Sequence, residues 1–209
     1  MMIAMGPSRR RAGRTARVGA AAALALLAAG CSASSPSEDE EPPTAESAAL
    51  RVQTVTGAER LDQQTRTEVE GAVGDALSDY VVAAFLGDFP RQEFVQAFEP
   101  FTSVAARKAT SDIDLLTAAT ARDATAVRAT DLDARLSFLT RTEEVLGGTA
   151  AVHFAFDASM GDGTTRHLVL DGRFLLEPDD DGTWSVFGYD VRFDNGDETP
   201  AETASGGGG

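Results

Sequence analysis

The chain has 209 residues, of which 33 are acidic and 18 are Lys or Arg, so its formal net charge is −15 at pH 7. So acidic a surface repels nucleic-acid phosphates and anionic lipid headgroups, which excludes nucleic acid as a partner and argues against a basic membrane-binding surface. The single cysteine, Cys31, cannot form a disulfide within the chain. With no serine-triad motif, phosphate-binding glycine loop or Cys/His cluster, the sequence predicts no cofactor and no metal.

The first 30 residues have the pattern of a secretory signal peptide. No acidic residue occurs among them, and the basic residues all precede the apolar run: Arg9, Arg10, Arg11, Arg14 and Arg17. The uncharged run that follows, residues 18–29, has 12 residues. A helix of that length is too short to cross a hydrocarbon layer of roughly 30 Å. A basic start, a short apolar run and a small-residue exit are typical of a signal that is removed from the mature protein.

The end of this segment, Leu-Ala-Ala-Gly-Cys at 27–31, resembles the lipobox of bacterial lipoproteins. The resemblance implies that the Cys31 thiol receives a diacylglyceryl group and that a peptidase cleaves after Gly30. Two or three acyl chains would hold the mature protein stably at the extracytoplasmic face of the cell membrane. The alternatives are a plain signal peptide with an accidental cysteine and a short, uncleaved anchor. The export route, Sec or twin-arginine, is left open.

Composition predicts one folded domain at residues 49–193 with a polar segment on each side. Residues 31–48 are rich in Ser, Pro and Glu, so they can bury too little apolar surface to offset the entropy lost on ordering. This composition predicts a disordered acidic tether. Residues 194–209 predict a second disordered tail. Removal of the first 30 residues leaves 13 basic and 33 acidic residues, a net charge of −20. One lysine against 17 arginines, with abundant alanine, suggests a bacterium of the actinobacterial kind.

The first half of the domain has the periodicity of helices, after a short strand predicted at Arg51–Thr56. Apolar residues at a 3.6-residue spacing predict one long helix, with Thr67 and Glu70 as its capping box and Gly87 as its end. Shorter helices are predicted at three places: from Pro90 through Phe98, at 103–109 and at 112–119.

The second half changes to a period of two, which is typical of strands with one buried face. Four strands are predicted, at 132–138, 152–158, 168–176 and 184–193. Turns at 160–163 and 178–182 would join neighbouring strands as hairpins, and a change of parity near Gly188 predicts a β-bulge. Helices followed by an antiparallel sheet with one apolar face predict an α+β fold in which the helices cover that face.

This order of elements resembles the nuclear transport factor 2 (NTF2) cone, the fold of ketosteroid isomerases and SnoaL-like proteins. Four segments, PRQEFVQAFEPFT, DLLT, LDGRFLL and WSVFGYDV, also resemble segments of actinobacterial lipoproteins. The resemblance implies an NTF2-like cone with N-terminal helices packed on a curved antiparallel sheet of four to five strands. It implies no particular activity.

Three polar residues are candidates for the interior of such a cone. Tyr80 lies on the apolar stripe of the long helix, while Tyr189 and Asp190 lie near the predicted bulge. An isomerase mechanism needs a base and an oxyanion donor, and Tyr80 with Asp190 is the best pair in the sequence. The alternative, which we favour, is a buried Tyr80 whose hydroxyl is bonded to a carboxylate or a carbonyl.

The two histidines are candidates for a site on the opposite face of the sheet. If the hairpin turns about Asp162, His153 opposes Asp171 and Asp157 opposes His167. This pattern is compatible with a metal site or a pH-sensitive partner surface. The alternative is a pair of partly solvated ion pairs, which we favour because one metal ion could hardly reach both histidines.

We interpret the chain as a lipid-anchored, exported envelope protein with a non-catalytic binding or interaction module, which takes either a small apolar ligand or an exported protein partner. The alternative is a SnoaL-like or ketosteroid-isomerase-like enzyme that acts on a small apolar molecule outside the membrane. A cavity into which Tyr80 and Asp190 converge would favour the enzyme. A filled interior would favour the interaction module, and its apolar candidates are Phe85, Phe94, Phe154 and Trp184. The polar outer sheet face predicts a monomer.

Overall fold

The computed structural model describes residues 46–142, 144–179 and 181–196. All of them belong to one unit of the chain, which begins at Thr44. The predicted signal peptide, its cleavage position Gly30 and the predicted lipidation site Cys31 lie outside the described residues, as do most of the predicted tether and tail.

Helices occupy the first half of the described chain and long strands the second, so the predicted α+β class is confirmed. The strands are β1 (Arg51–Thr56), β2 (Ala124–Arg141), β3 (Glu144–Met160), β4 (Thr165–Pro178) and β5 (Trp184–Asp194). The α-helices are α1 (Gln63–Phe85), α2 (Ser103–Ser111) and α3 (Ile113–Leu116), and two 3₁₀ helices cover Val95–Phe98 and Ala118–Ala121.

The five strands form one sheet in the order β1-β2-β3-β4-β5. Strands β2 to β5 are antiparallel neighbours, whereas β1 runs parallel to β2, with Arg51 opposite Asp133. The sheet is therefore mixed, and the expectation of a purely antiparallel sheet is wrong for β1. The chain leaves β1 and returns to the sheet through all of its helices, and such a long crossover is the connection that parallel strands need. The arrangement is consistent with a cone-like fold.

The core lies between α1 and the inner face of the sheet. Helix α1 buries one stripe, made of Val73, Ala76, Leu77, Tyr80, Val81, Ala84 and Phe85. The sheet contributes alternate residues of β2 to β5 to the same cluster, including Leu136, Phe154, Phe156, Leu168, Leu170 and Phe174. Each fully buried Leu or Phe stabilises the fold by about 1.5–3 kcal/mol relative to an exposed one.

Helix α1 begins earlier than the sequence predicted. Asp62 is its N-cap, and the Asp62 carboxylate accepts a 2.9 Å hydrogen bond from the backbone N–H of Thr65. The predicted capping box of Thr67 and Glu70 is wrong, because Glu70 accepts instead from the Arg66 guanidinium at 2.9 Å. The predicted end is confirmed, since Gly87 follows the C-cap with a φ of 97°.

The short helices differ in part from the prediction. No helix begins at Pro90, because the backbone N–H of Arg91 is bonded across to the carbonyl of Arg122 at 2.9 Å, and the 3₁₀ helix begins only at Val95. The predicted piece at 112–119 is divided at Thr117, which is fully buried and donates its hydroxyl to the carbonyl of Ile113 at 2.8 Å.

The hairpins follow the predicted pattern more closely. Leu175 pairs with Gly188 and Leu176 pairs with Val186, so Phe187 is the extra residue and the bulge near Gly188 is confirmed. Strand β2 starts at Ala124, well before the predicted position 132. Bulges near Ala126 and Asp131 break the two-residue period by which its first residues would be predicted as strand.

Candidate functional site

Tyr80 is a core residue. Its side chain is fully buried, and its hydroxyl donates a 2.5 Å hydrogen bond to the backbone carbonyl of Leu116. Its ring packs edge-on against Phe174, with centroids 5.1 Å apart. Burial raises the pKa of this phenol well above its ordinary value. The hydroxyl is thus neutral and already bonded, as the favoured alternative expects.

Asp190 does not approach Tyr80. Its side chain is 82% exposed on the outer sheet face, 3.5 Å from the Arg173 guanidinium. Tyr189, the neighbouring residue, turns the other way and donates a 2.7 Å hydrogen bond to the Asp112 carboxylate. This hydrogen bond lowers the pKa of Asp112, whereas desolvation raises the pKa of Tyr189. The structure therefore does not bring Tyr80 and Asp190 together.

The four apolar candidates fill the interior. Phe85, Phe94, Phe154 and Trp184 are all at most 5% exposed. The Phe85 ring stacks on Phe156 with centroids 4.3 Å apart, and Trp184 packs edge-on against Phe138 at 5.9 Å. Buried side chains packed in this way occupy the space that a ligand in the interior of the domain would need.

The predicted histidine pairs are present on the outer sheet face. His153 Nδ1 lies 2.8 Å from Asp171, and His167 Nδ1 lies 2.7 Å from Asp157. The first pair belongs to a row of facing residues that crosses all five strands and alternates basic and acidic residue types: Arg51, Asp133, His153, Asp171 and Arg192. In the described ranges, no group of three or more His, Cys, Asp or Glu side chains could hold a metal ion.

The same face also carries an apolar patch at the end nearest the β2–β3 hairpin. Its exposed members are Leu139 at 65%, Phe187 at 44% and Leu146 at 37%. They line a shallow depression together with Gly147 and Leu175. The outer face is therefore polar in its centre and apolar at one end, whereas the sequence predicted a polar face throughout.

A groove of about 800 Å³ lies outside the core, between α1, the residues around Pro100 and the β4–β5 turn. Its small and apolar lining residues, which we call its floor, are Ala72, Ala76, Val82, Ala83, Pro100 and Trp184, and uncharged polar lining comes from Gln96, Thr183 and Ser185. Its acidic lining residues, which we call its rim, are Asp75, Asp79, Glu99 and Asp181, and no Lys, Arg or His lines it. Sequence reasoning missed this groove. Its one local signal is a face of α1 on which alanines alternate with aspartates at helical spacing.

No protein-family model, curated protein or solved structure matches this chain. Within the described residues, no helix is both long enough and apolar enough to cross a membrane.

Proposed function

We propose that this protein is an exported, lipid-anchored interaction module, held at the extracytoplasmic face of the membrane by Cys31, and that its domain is an NTF2-like cone without catalytic activity. It presents its outer surfaces to another exported protein. The alternative of an isomerase-like enzyme has no assembled pair of reactive groups to support it.

The proposed lack of catalytic activity rests on one observation: the interior is occupied by packed aromatic side chains. Tyr80 is surrounded by Phe85, Phe101 and Phe174, and its hydroxyl is bonded to a main-chain carbonyl. A substrate pocket needs open volume with a few convergent polar groups, and the inner face of this sheet offers filled volume. Partner binding is thereby directed to the outside of the domain.

The assignment to NTF2-like cones is supported by the order of elements. Helices precede four long antiparallel strands, and α1 packs its apolar stripe on the inner face of the sheet. The location is supported by the sequence of the leader, in which five arginines, a short apolar run and Gly30-Cys31 follow one another.

Expression of the full chain and of Cys31→Ser in a bacterial host tests this proposal. We expect the wild-type protein to sediment with membranes, to be released by detergent and to have a mass that lacks residues 1–30 and includes a diacylglyceryl group. The Cys31→Ser variant should keep its leader and gain no lipid. A wild-type protein with a bare sulfur and an intact leader would overturn the anchoring, and turnover of a steroid or similar apolar substrate would overturn the non-catalytic role.

A further inference from the structure

The groove beside α1 is held in shape by main-chain hydrogen bonds. The backbone N–H of Val186 donates to the carbonyl of Pro100, and the N–H of Thr102 donates to the carbonyl of Val186, both at 2.9 Å. These bonds fix the wall that contains Glu99 against the first residues of β5. In the β4–β5 turn, the N–H of Thr183 donates to the carboxylates of Asp179 and Asp181 at 2.9 and 3.0 Å. A binding surface here is formed before any partner arrives.

The carboxylates of the groove differ from those of the outer sheet face in lacking a basic partner. On the sheet face, Asp131, Asp133, Asp157, Asp171 and Asp190 each form an ion pair with an arginine. Of the ion pairs formed among the described residues, none involves Asp75, Asp79, Glu99 or Asp181. The groove thus concentrates negative charge that the rest of the domain does not neutralise.

We propose that the groove beside α1 is a docking surface for a basic peptide segment of another exported protein, whose arginine or lysine side chains cross its apolar floor and reach its carboxylates. This inference rests on the proposed interaction role and names the chemistry of the partner.

The combination of an apolar floor and an acidic rim favours a basic peptide over a simple cation. Lysine and arginine bury their aliphatic stems along apolar surface while their charged heads stay near water. In the groove, Pro100 and the 55%-exposed Val82 offer such surface, and Asp75 and Asp79 lie one helical turn apart on α1. A small inorganic cation would use only the charge and leave the floor uncovered. Complementary charge would also steer the partner and weaken its binding as salt rises.

Binding of a labelled probe peptide, acetyl-(Arg-Ala)₃-amide, to the detergent-extracted full-length protein tests this inference. We expect saturable binding in 0.15 M salt. The double variant Asp75→Asn/Asp79→Asn should weaken it by about tenfold, since each exposed ion pair contributes up to about 1 kcal/mol. Ala72→Leu, which fills the floor without a change in charge, should weaken it as well. The matched control Asp88→Asn/Asp123→Asn removes two exposed acidic charges that lie elsewhere and form no ion pair with another described residue, and it should leave the affinity unchanged.

Equal weakening by both double variants would overturn the inference, because it would show diffuse attraction to an acidic protein. Absence of binding, an unaffected Ala72→Leu variant, or spermidine binding as tight as that of the peptide would overturn it too. None of these results bears on the lipid on Cys31 or on the lack of turnover. The proposed function is therefore tested separately, by the mass of the processed chain and by the assay for turnover.

Discussion

The hydroxyl of Tyr80 donates a hydrogen bond of 2.5 Å to the backbone carbonyl of Leu116, a residue 36 positions further along the chain. This bond joins the C-terminal part of α1 to the last residue of α3 in a fully buried environment. A phenol in this position ties two helices together, and its proton is not available to a substrate.

Replacement of Tyr80 by Phe should therefore reduce stability. Removal of the hydroxyl deprives the carbonyl of Leu116 of its partner, and we expect the free energy of unfolding to fall by about 1–2 kcal/mol. Urea unfolding measures this change. Tyr189→Phe is the matched control: its hydroxyl bonds the more accessible Asp112, so a smaller loss is expected. Equal stabilities of wild type and Tyr80→Phe would contradict the structural role.

Two glycines should respond in opposite directions to replacement by alanine. Gly172 has a φ of 144°, and a Cβ there would lie 2.3 Å from the carbonyl oxygen of Asp190 on β5. We expect Gly172→Ala to destabilise the protein by more than about 2 kcal/mol. Gly71 lies on an exposed face of α1 with no atom within 4 Å of an added Cβ, so Gly71→Ala should stabilise by about 0.5–1 kcal/mol. Thermal unfolding of the two variants measures both changes in stability. A Gly172→Ala protein as stable as the wild type would refute the close approach of β4 and β5 at this position.

The start of α1 gives a pH-dependent prediction. Hydrogen bonding from the Thr65 backbone N–H lowers the pKa of Asp62 in the folded protein. Its contribution to stability is therefore present above the ordinary carboxyl pKa and is lost as the pH falls through the lowered value. We expect Asp62→Ala to lower the melting temperature at neutral pH and to differ less from wild type at acidic pH. Thr67 is the predicted N-cap that the structure does not support, so Thr67→Ala should have little effect on the melting temperature at either pH. A larger loss for Thr67→Ala than for Asp62→Ala would contradict this assignment and favour the capping box of Thr67 and Glu70.

The register of the β3–β4 hairpin could be predicted because nothing interrupts it. A tight turn about Asp162 fixes which residues oppose one another, and the two strands pair without a bulge from Ser159 back to Gly148. His153 therefore meets Asp171, as the sequence indicated. Two of the three register shifts between β2 and β3 add a residue to β2, Thr125 and Thr130, and each reverses the parity of the β2 residues before it. The first residues of β2 could not be recognised as strand for that reason.

The outward direction of the Asp190 side chain follows from the two-residue period of the strand in the sequence. Successive side chains of a strand point to opposite faces, so Tyr189 and Asp190 cannot both point inward. The structure turns Tyr189 toward Asp112 and Asp190 toward solvent. The groove, in contrast, is assembled from segments more than 80 residues apart in the chain, α1 and the β4–β5 turn. The sequence of α1 shows a second face of alanine and aspartate, but what lies beside that face depends on the tertiary fold.

Native mass spectrometry of the detergent-extracted protein tests the central claim, a packed interior with function on the outer surface, most directly. We predict the mass of the processed, lipidated chain alone or with a bound protein, and no small molecule retained within the domain. A stoichiometric apolar molecule that remains bound through detergent removal, and that is lost when Phe154 or Phe85 is replaced by Ala, would contradict a filled interior.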